Sequence, residues 1–308
     1  MKILIIGGTG FIGRPVTKMF VQNGHEVAVF HHNKEKSDTS LNTVELIGSR
    51  DKILNYKNEF LSFKPDLVID IIPYTAQDIW GLKMAIKDVT ENLLLLSSGD
   101  VYKVYDTFHK NLTEVDNSPL TETSELRSKL YPYKSEQVDK YDELLFNYDK
   151  IIVETMAQEK SFNTCILRLP AIFGKGDKQQ KLSEYIIPMM TNQASIILSV
   201  KKANWIWTRS YNENIAYGIY LASTNEKARN NIFNLGDINL KEFDLVTKLK
   251  KLTGWKGEII IKENIREQFN YEQNIMMDSS KIKQVLNYSA PINDEVALLK
   301  TIQNYRLQ

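Results

Sequence analysis

Residues 3–6 are four apolar side chains in a row, stopped at once by Gly7 and Gly8. An unbroken apolar run of this length predicts a strand buried on both faces. Residues 11–23 then carry apolar positions at helical spacing. Pro15 is compatible with that helix because it falls in the first turn. Asn23-Gly24 ends it. Similar apolar runs predict strands over residues 26–30, 66–72, 93–97 and 165–169, the last stopped by Pro170. A long helix is expected over residues 148–161, just before that strand. Strands and helices in alternation predict an open parallel sheet covered on both faces.

The alternation weakens after Pro170. Helices are expected near residues 182–191, 212–224, 240–253 and 279–286, with short strands near 196–200 and 258–262. The expected architecture is therefore α/β: a Rossmann-type doubly wound parallel sheet with a smaller C-terminal α/β lobe. Residues 1–170 and about 203–237 form the first unit in this reading. Residues 171–202 and 238–308 form the second, which would bind substrate.

The segment Gly7-Gly8-Thr9-Gly10-Phe11-Ile12-Gly13 joins the first strand to the first helix. Early glycines permit a tight turn and let backbone N–H groups approach a pyrophosphate, while the last lets helix and strand pack closely. The helix N-terminus adds free donors and a positive dipole end. The expectation is a dinucleotide held by Gly7, Thr9, Gly10, Phe11, Ile12 and Gly13. The end of the second strand, Phe30-His31-His32-Asn33-Lys34, carries no acid for a ribose. Lys34 and Lys36 suit a 2′-phosphate instead. With His32 and Lys34 as further contacts, NADP is the expected cofactor and NAD the alternative.

The chain has 308 residues, 43% apolar and 25% charged, with a formal net charge of +1. That balance offers no basic surplus for nucleic acid. No run approaches the roughly 18 apolar residues of a membrane span. The N-terminal apolar run is too short for a secretion signal. The single cysteine, Cys165, forms no internal disulfide and suits burial. A cytoplasmic location is the expectation. His31 and His32 have no cysteine or histidine partners at metal spacing, so no metal site is expected.

The chain resembles the short-chain dehydrogenase/reductase superfamily, on its extended and atypical side, the NAD-dependent epimerase/dehydratase family. The resemblance rests on GGTGFIG at residue 7, SSGDVY at 97, KIIVE at 150, RLPAIFGKGD at 168 and YNENIA at 211. It implies a serine that hydrogen-bonds the substrate oxygen, here Ser98. It also implies a lysine that holds the ribose and tunes a tyrosine, here Lys150. Cofactor contacts are further implied at Ile71, Ser97 and Pro170, and substrate contacts at Tyr102, Tyr131, Trp207 and Arg209. For Trp207, packing on a strand face is an equal alternative.

Relatives carry the proton-exchanging tyrosine four residues before the lysine. Phe146 stands there, and no tyrosine in the chain has a lysine four residues on. Tyr148 would point to the opposite face if both lay on one helix. Tyr133, with Tyr131 in the upstream Leu130-Tyr131-Pro132-Tyr133 segment, is the replacement expected from a loop. The implied activity is an NAD(P)-dependent epimerase, dehydratase or reductase acting on a sugar-like or nucleotide-linked carbinol or carbonyl. The alternative is a catalytically impaired dinucleotide-binding regulatory or assembly protein. The expected partners are a small-molecule substrate and a second copy of the chain, with neither nucleic acid nor membrane.

Overall fold

The computed structural model describes residues 1–32, 41–134, 143–159 and 161–306. The strands are β1 (Lys2–Ile6), β2 (Glu26–His31), β3 (Val44–Ile47), β4 (Leu67–Asp70), β5 (Asn92–Ser98), β6 (Asn163–Leu169), β7 (Ala171–Phe173), β8 (Ser195–Ser199), β9 (Ile206–Tyr211), β10 (Ile232–Asn234), β11 (Ile238–Lys241) and β12 (Glu258–Lys262). The helices are α1 (Gly13–Gln22), α2 (Lys57–Phe63), α3 (Ala76–Ile86), α4 (Val104–Phe108), α5 (Glu143–Asn147), α6 (Lys150–Ala157), α7 (Ser183–Met190), α8 (Val200–Asn204), α9 (Asn212–Thr224), α10 (Glu242–Thr253), α11 (Ser280–Leu286) and α12 (Asp294–Arg306).

Seven strands form one parallel sheet in the order β10-β6-β5-β4-β1-β2-β3. The chain winds outward in both directions from β1, so the crevice for a ligand falls at the carboxyl ends of β1 and β4. Side-chain period two divides the apolar runs between the sheet's faces. Ile3, Ile5, Val27, Val29, Ile69, Leu94 and Leu167 pack with Val16 and Phe20 of α1 and Ile215 and Ile219 of α9. Leu4, Ile6, Phe30, Val68, Leu93 and Leu95 pack on the opposite face with Ile79 and Leu82 of α3 and Val153 of α6. Burying each Leu, Ile or Val contributes about 1.5–3 kcal/mol, which explains why both registers are fixed.

A second layer is built from the sheet β11-β9-β7 and the parallel pair β8–β12. Its core gathers Tyr185 and Ile186 of α7, Leu245 and Leu249 of α10, and Leu298 and Ile302 of α12. Of the stretch 203–237, α9 and β10 lie against the seven-stranded sheet, whereas β9 pairs with β7 and β11. Among the described residues, no helix is long and apolar enough to cross a membrane.

One expected element is shorter than its pattern. The helix read over residues 148–161 is α6, Lys150–Ala157. Asp149 is extended, with φ −159° and ψ 110°, and its carboxylate accepts the Ile151 N–H as an N-cap. The cap starts the helix at Lys150, so Tyr148 and Phe146 lie outside it.

Candidate active site

The glycine loop forms the first wall. Gly7 has φ +86°, a conformation that side chains rarely adopt. A Cβ on Gly13 would stand 2.1 Å from the Gly7 carbonyl oxygen, so α1 approaches the turn as closely as backbone allows. A Cβ on Gly10 would meet only that oxygen, at 3.6 Å, so this corner of the cradle is open. The N-cap residue of α1 is Ile12, whose side chain makes no capping bond. Arg14 Nε donates to the Thr9 carbonyl at 2.8 Å, and Asn212 Nδ2 donates to Phe11 and Lys175 carbonyls at 3.3 Å each. These bonds fix a loop that suits the pyrophosphate of a dinucleotide. Ile72 lies against Gly7, and Ile71 fills the core beneath.

The second wall runs from β4 and β5 to the start of α6. Lys150 Nζ donates to the carbonyls of Pro73 at 2.7 Å and Leu96 at 3.0 Å. It lies 4.9 Å from the Tyr74 ring centre and 6.0 Å from that of Tyr148. Burial lowers its pKa to about 8, against the pull of Asp100 and Asp70.

Next to it, Tyr148 Oη donates to Asp100 Oδ2 at 2.8 Å, and Tyr133 Oη reaches the same oxygen at 3.4 Å. The Ser98 hydroxyl stands beside the Tyr148 phenol and accepts the Asp100 N–H at 3.2 Å. Asp100 is buried, and its Oδ1 has no hydrogen-bond partner among the described residues. Burial pushes the Asp100 carboxyl above the ordinary carboxylate range, although Tyr148, Arg127 and Lys150 oppose that shift. Burial and the Asp100 charge hold Tyr148 well above an ordinary phenol. Arg127 fixes the scaffold: Nε donates to the Asp100 carbonyl at 2.8 Å, and Nη2 to Asp149 Oδ1 at 2.9 Å.

The other expected site residues have these surroundings. Tyr102, expected at the substrate, is wholly buried and donates to Asn234 Oδ1 at 2.6 Å beneath the Arg168 guanidinium. Its phenol pins the serine segment to β10. Arg209, expected on the substrate's polar end, pairs with Glu242 at 2.7 Å with both side chains buried. Ser97 donates to Glu154 at 2.5 Å, and Glu154 is paired with Arg168 at 2.7 Å. Trp207 is half-buried between Trp205 and Arg209, with its indole facing the Tyr105 hydroxyl. Tyr131 is in the left-handed region at φ 53° and gives its N–H to Asp149 Oδ2 at 2.6 Å. Phe146 packs under the Lys134 ammonium, 4.2 Å from its ring centre. Pro170 is buried between β6 and β7, and His32 is exposed. Lys34 and Lys36 lie outside the described residues.

A glycine cradle at β1 and a serine, tyrosine and lysine group past β4 and β5 thus share one sheet edge. A model of the NAD dependent epimerase/dehydratase family matches residues 3–236. The chain belongs to this family. No curated protein matches it. Its fold is that of three solved structures. UDP-glucose 4-epimerase of Thermotoga maritima, solved with UDP-glucose, is 17% identical with a TM-score of 0.73, covering 100% of this chain and 99% of that one. The Bordetella bronchiseptica enzyme WbmG, in complex with NAD and UDP, is 13% identical with a TM-score of 0.75, covering 99% and 94%. The dTDP-glucose 4,6-dehydratase of Bacillus anthracis, in complex with NAD, is 14% identical with a TM-score of 0.71, covering 100% and 97%.

Within this epimerase/dehydratase framework, two site groups were not legible. Asp100 stood in the SSGDVY segment, and an acid two residues after Ser98 was the available signal. One continuous helix would turn Tyr148 away from Lys150, but the Asp149 cap starts α6 after Tyr148.

Proposed function

We propose that the protein is a nicotinamide-dinucleotide-dependent oxidoreductase of the epimerase/dehydratase type, acting on a sugar carbinol or carbonyl carried by a nucleotide. The observation that carries this reading is the convergence of Ser98, a phenol and the buried Lys150 at one edge of a dinucleotide fold. The family and the neighbours solved with NAD, UDP or UDP-glucose support the substrate class. A bound dinucleotide would supply the hydride acceptor or donor at this edge. Residues 7–13 would bind its pyrophosphate, and the Lys150 ammonium would lie beneath its nicotinamide half. Ser98 would hold the substrate oxygen. A phenol beside Ser98 would donate a hydrogen bond to that oxygen. Lys34 and Lys36 support NADP as the dinucleotide, with NAD the alternative.

The test is to load the purified protein with NAD or NADP and add a panel of UDP- and dTDP-linked hexoses. Reduced-nicotinamide absorbance and product NMR are then followed. Transient reduction or a new sugar epimer is expected with at least one member. A protein that binds the dinucleotide but alters no sugar in the panel is a binding protein, and the reading is lost.

A further inference from the structure

We propose that Tyr148 is the group that exchanges a proton with the substrate oxygen, and that Asp100 receives the phenol's own proton as its relay partner. The assignment rests on the oxidoreductase reading above and names the proton path that reading leaves open.

Tyr133 and Tyr148 both approach Asp100, and geometry separates them. Tyr148 Oη is 2.8 Å from Asp100 Oδ2, and Tyr133 Oη is 3.4 Å away. Tyr148 also stands beside the Ser98 hydroxyl, where the substrate oxygen would be held, and its ring faces the Lys150 ammonium at 6.0 Å. Tyr133 packs against the Tyr148 ring, 5.2 Å between centres.

Lys150 does not hydrogen-bond either hydroxyl among the described residues. Its ammonium donates to two main-chain carbonyls and meets Tyr148 over the ring face. The group on the phenolic oxygen is a carboxylate. A carboxylate there keeps the phenol protonated and offers it a proton acceptor.

For a substrate alcohol the balance is complete. A bound dinucleotide, required by the proposed function, would take up the carbinol hydrogen with its electron pair. The substrate O–H proton passes to Tyr148 Oη, and the carbonyl forms. The original Tyr148 O–H bond breaks as its proton joins Asp100 Oδ2. Reduction runs the same path backwards. Asp100 is a positioning and relay residue, since it acts through Tyr148.

Asp100 is faced by Tyr148, Asp149 and Lys150 at the entry to α6, by Arg127 and Tyr133 from the preceding loop, and by Tyr105 and His109 around α4. Its backbone is clamped at both ends, by Ser98 Oγ and by Arg127 Nε. Asp100 Oδ1, which has no hydrogen-bond partner among the described residues, belongs to the same buried carboxylate whose Oδ2 accepts the Tyr148 hydroxyl.

The experiment combines two readouts on the full-length protein. Carboxyl-carbon NMR of aspartate-labelled protein follows the Asp100 titration, assigned with Asp100→Asn. Removing the phenol by Tyr148→Phe is expected to move that titration to higher pH, with a smaller shift for Tyr133→Phe. Turnover on the responsive sugar nucleotide gives the second readout. Tyr148→Phe is expected to lower kcat by about 100-fold or more, within the usual range for lost acid–base catalysis, with KM changed by less than about threefold. Asp100→Asn is expected to lower turnover by about tenfold and to remove the acid limb of its pH profile.

A Tyr148→Phe protein within about fivefold of the unchanged kcat overturns the assignment and leaves the oxidoreductase function standing. An Asp100 titration unmoved by Tyr148→Phe overturns it equally. Absence of any turnover in the unchanged protein overturns the function itself, and the assignment with it.

Discussion

Tyr148 and Lys150 lie on the same side of the chain because the residue between them is extended. Asp149 has φ −159° and ψ 110°, and in extended backbone the side chains at i−1 and i+1 share a face. Asp149 points the other way, where it meets Arg127 and the Tyr131 N–H and also starts α6. One carboxylate thereby sets the spacing between phenol and ammonium.

Asp149→Ala is therefore expected to be severely destabilising. It strands Arg127, buried to 1% exposure, without its counter-charge. Breaking such a pair costs about 3–5 kcal/mol, and the lost N-cap adds about 1 kcal/mol. Urea unfolding measures the loss. Asp149→Asn keeps a capping oxygen and should cost less. A loss in the Ala variant no larger than an ordinary surface substitution would show that the pair does not anchor this segment.

Gly10 and Gly13 should separate binding from folding. A Cβ at Gly13 would lie 2.1 Å from backbone oxygen, so Gly13→Ala must move α1 from β1 and lower the melting temperature. A Cβ at Gly10 meets nothing closer than 3.6 Å, so Gly10→Ala is expected to fold normally. It should weaken dinucleotide affinity by about tenfold or more, roughly the loss of one charge-assisted hydrogen bond. Calorimetry and thermal melts on both variants check the contrast. Equal behaviour of the two variants in both assays contradicts it.

Asp100 should make stability depend on pH. Its carboxyl in the folded chain lies above the ordinary value, with burial the largest cause. The folded state therefore holds that proton more tightly than the unfolded state. The associated stability is present below the ordinary carboxylate value and is lost as pH rises through the folded one. Asp100→Asn, which cannot ionise, is expected to melt on the order of 2 °C higher at neutral pH. The difference should shrink towards zero in acid. A gain that grows as pH falls would give the shift the opposite sign.

Cofactor choice tests the segment after β2. Lys34→Ala is expected to weaken NADP more than NAD, by roughly 1.5–3 kcal/mol if one charge-assisted contact to the 2′-phosphate is lost. Competitive calorimetry of both dinucleotides measures it. Equal losses for the two would remove Lys34 from the 2′-phosphate site.

The central strands and the glycine turn were legible because their signals are local. Four apolar residues ending in glycines specify β1 and its turn without tertiary context, and 212–224 and 258–262 coincide with α9 and β12. The edge strands β3 and β10 were not legible, being four and three residues long, and β3 is only half-buried or exposed. Charged residues were the hardest to place. Arg209 carries the same formal charge whether it binds a substrate or Glu242, and the answer depends on a residue 33 positions away. Tyr148 was misplaced because apolar periodicity runs on through residues 148–161, whereas an aspartate cap set the helix start at Lys150.

The Tyr102 bond to Asn234 spans 132 positions, and β10 pairs with β6 through residues 232–234. A chain growing from its N-terminus has Ser98, Asp100, Tyr148 and Lys150 in hand long before it has Asn234. Until that point β6 is an open edge, and the phenol that anchors the serine segment lacks its acceptor. The candidate site encoded in the first half of the polypeptide is thus held in place by a strand synthesised in its last third, and its assembly has an order in time as well as a geometry.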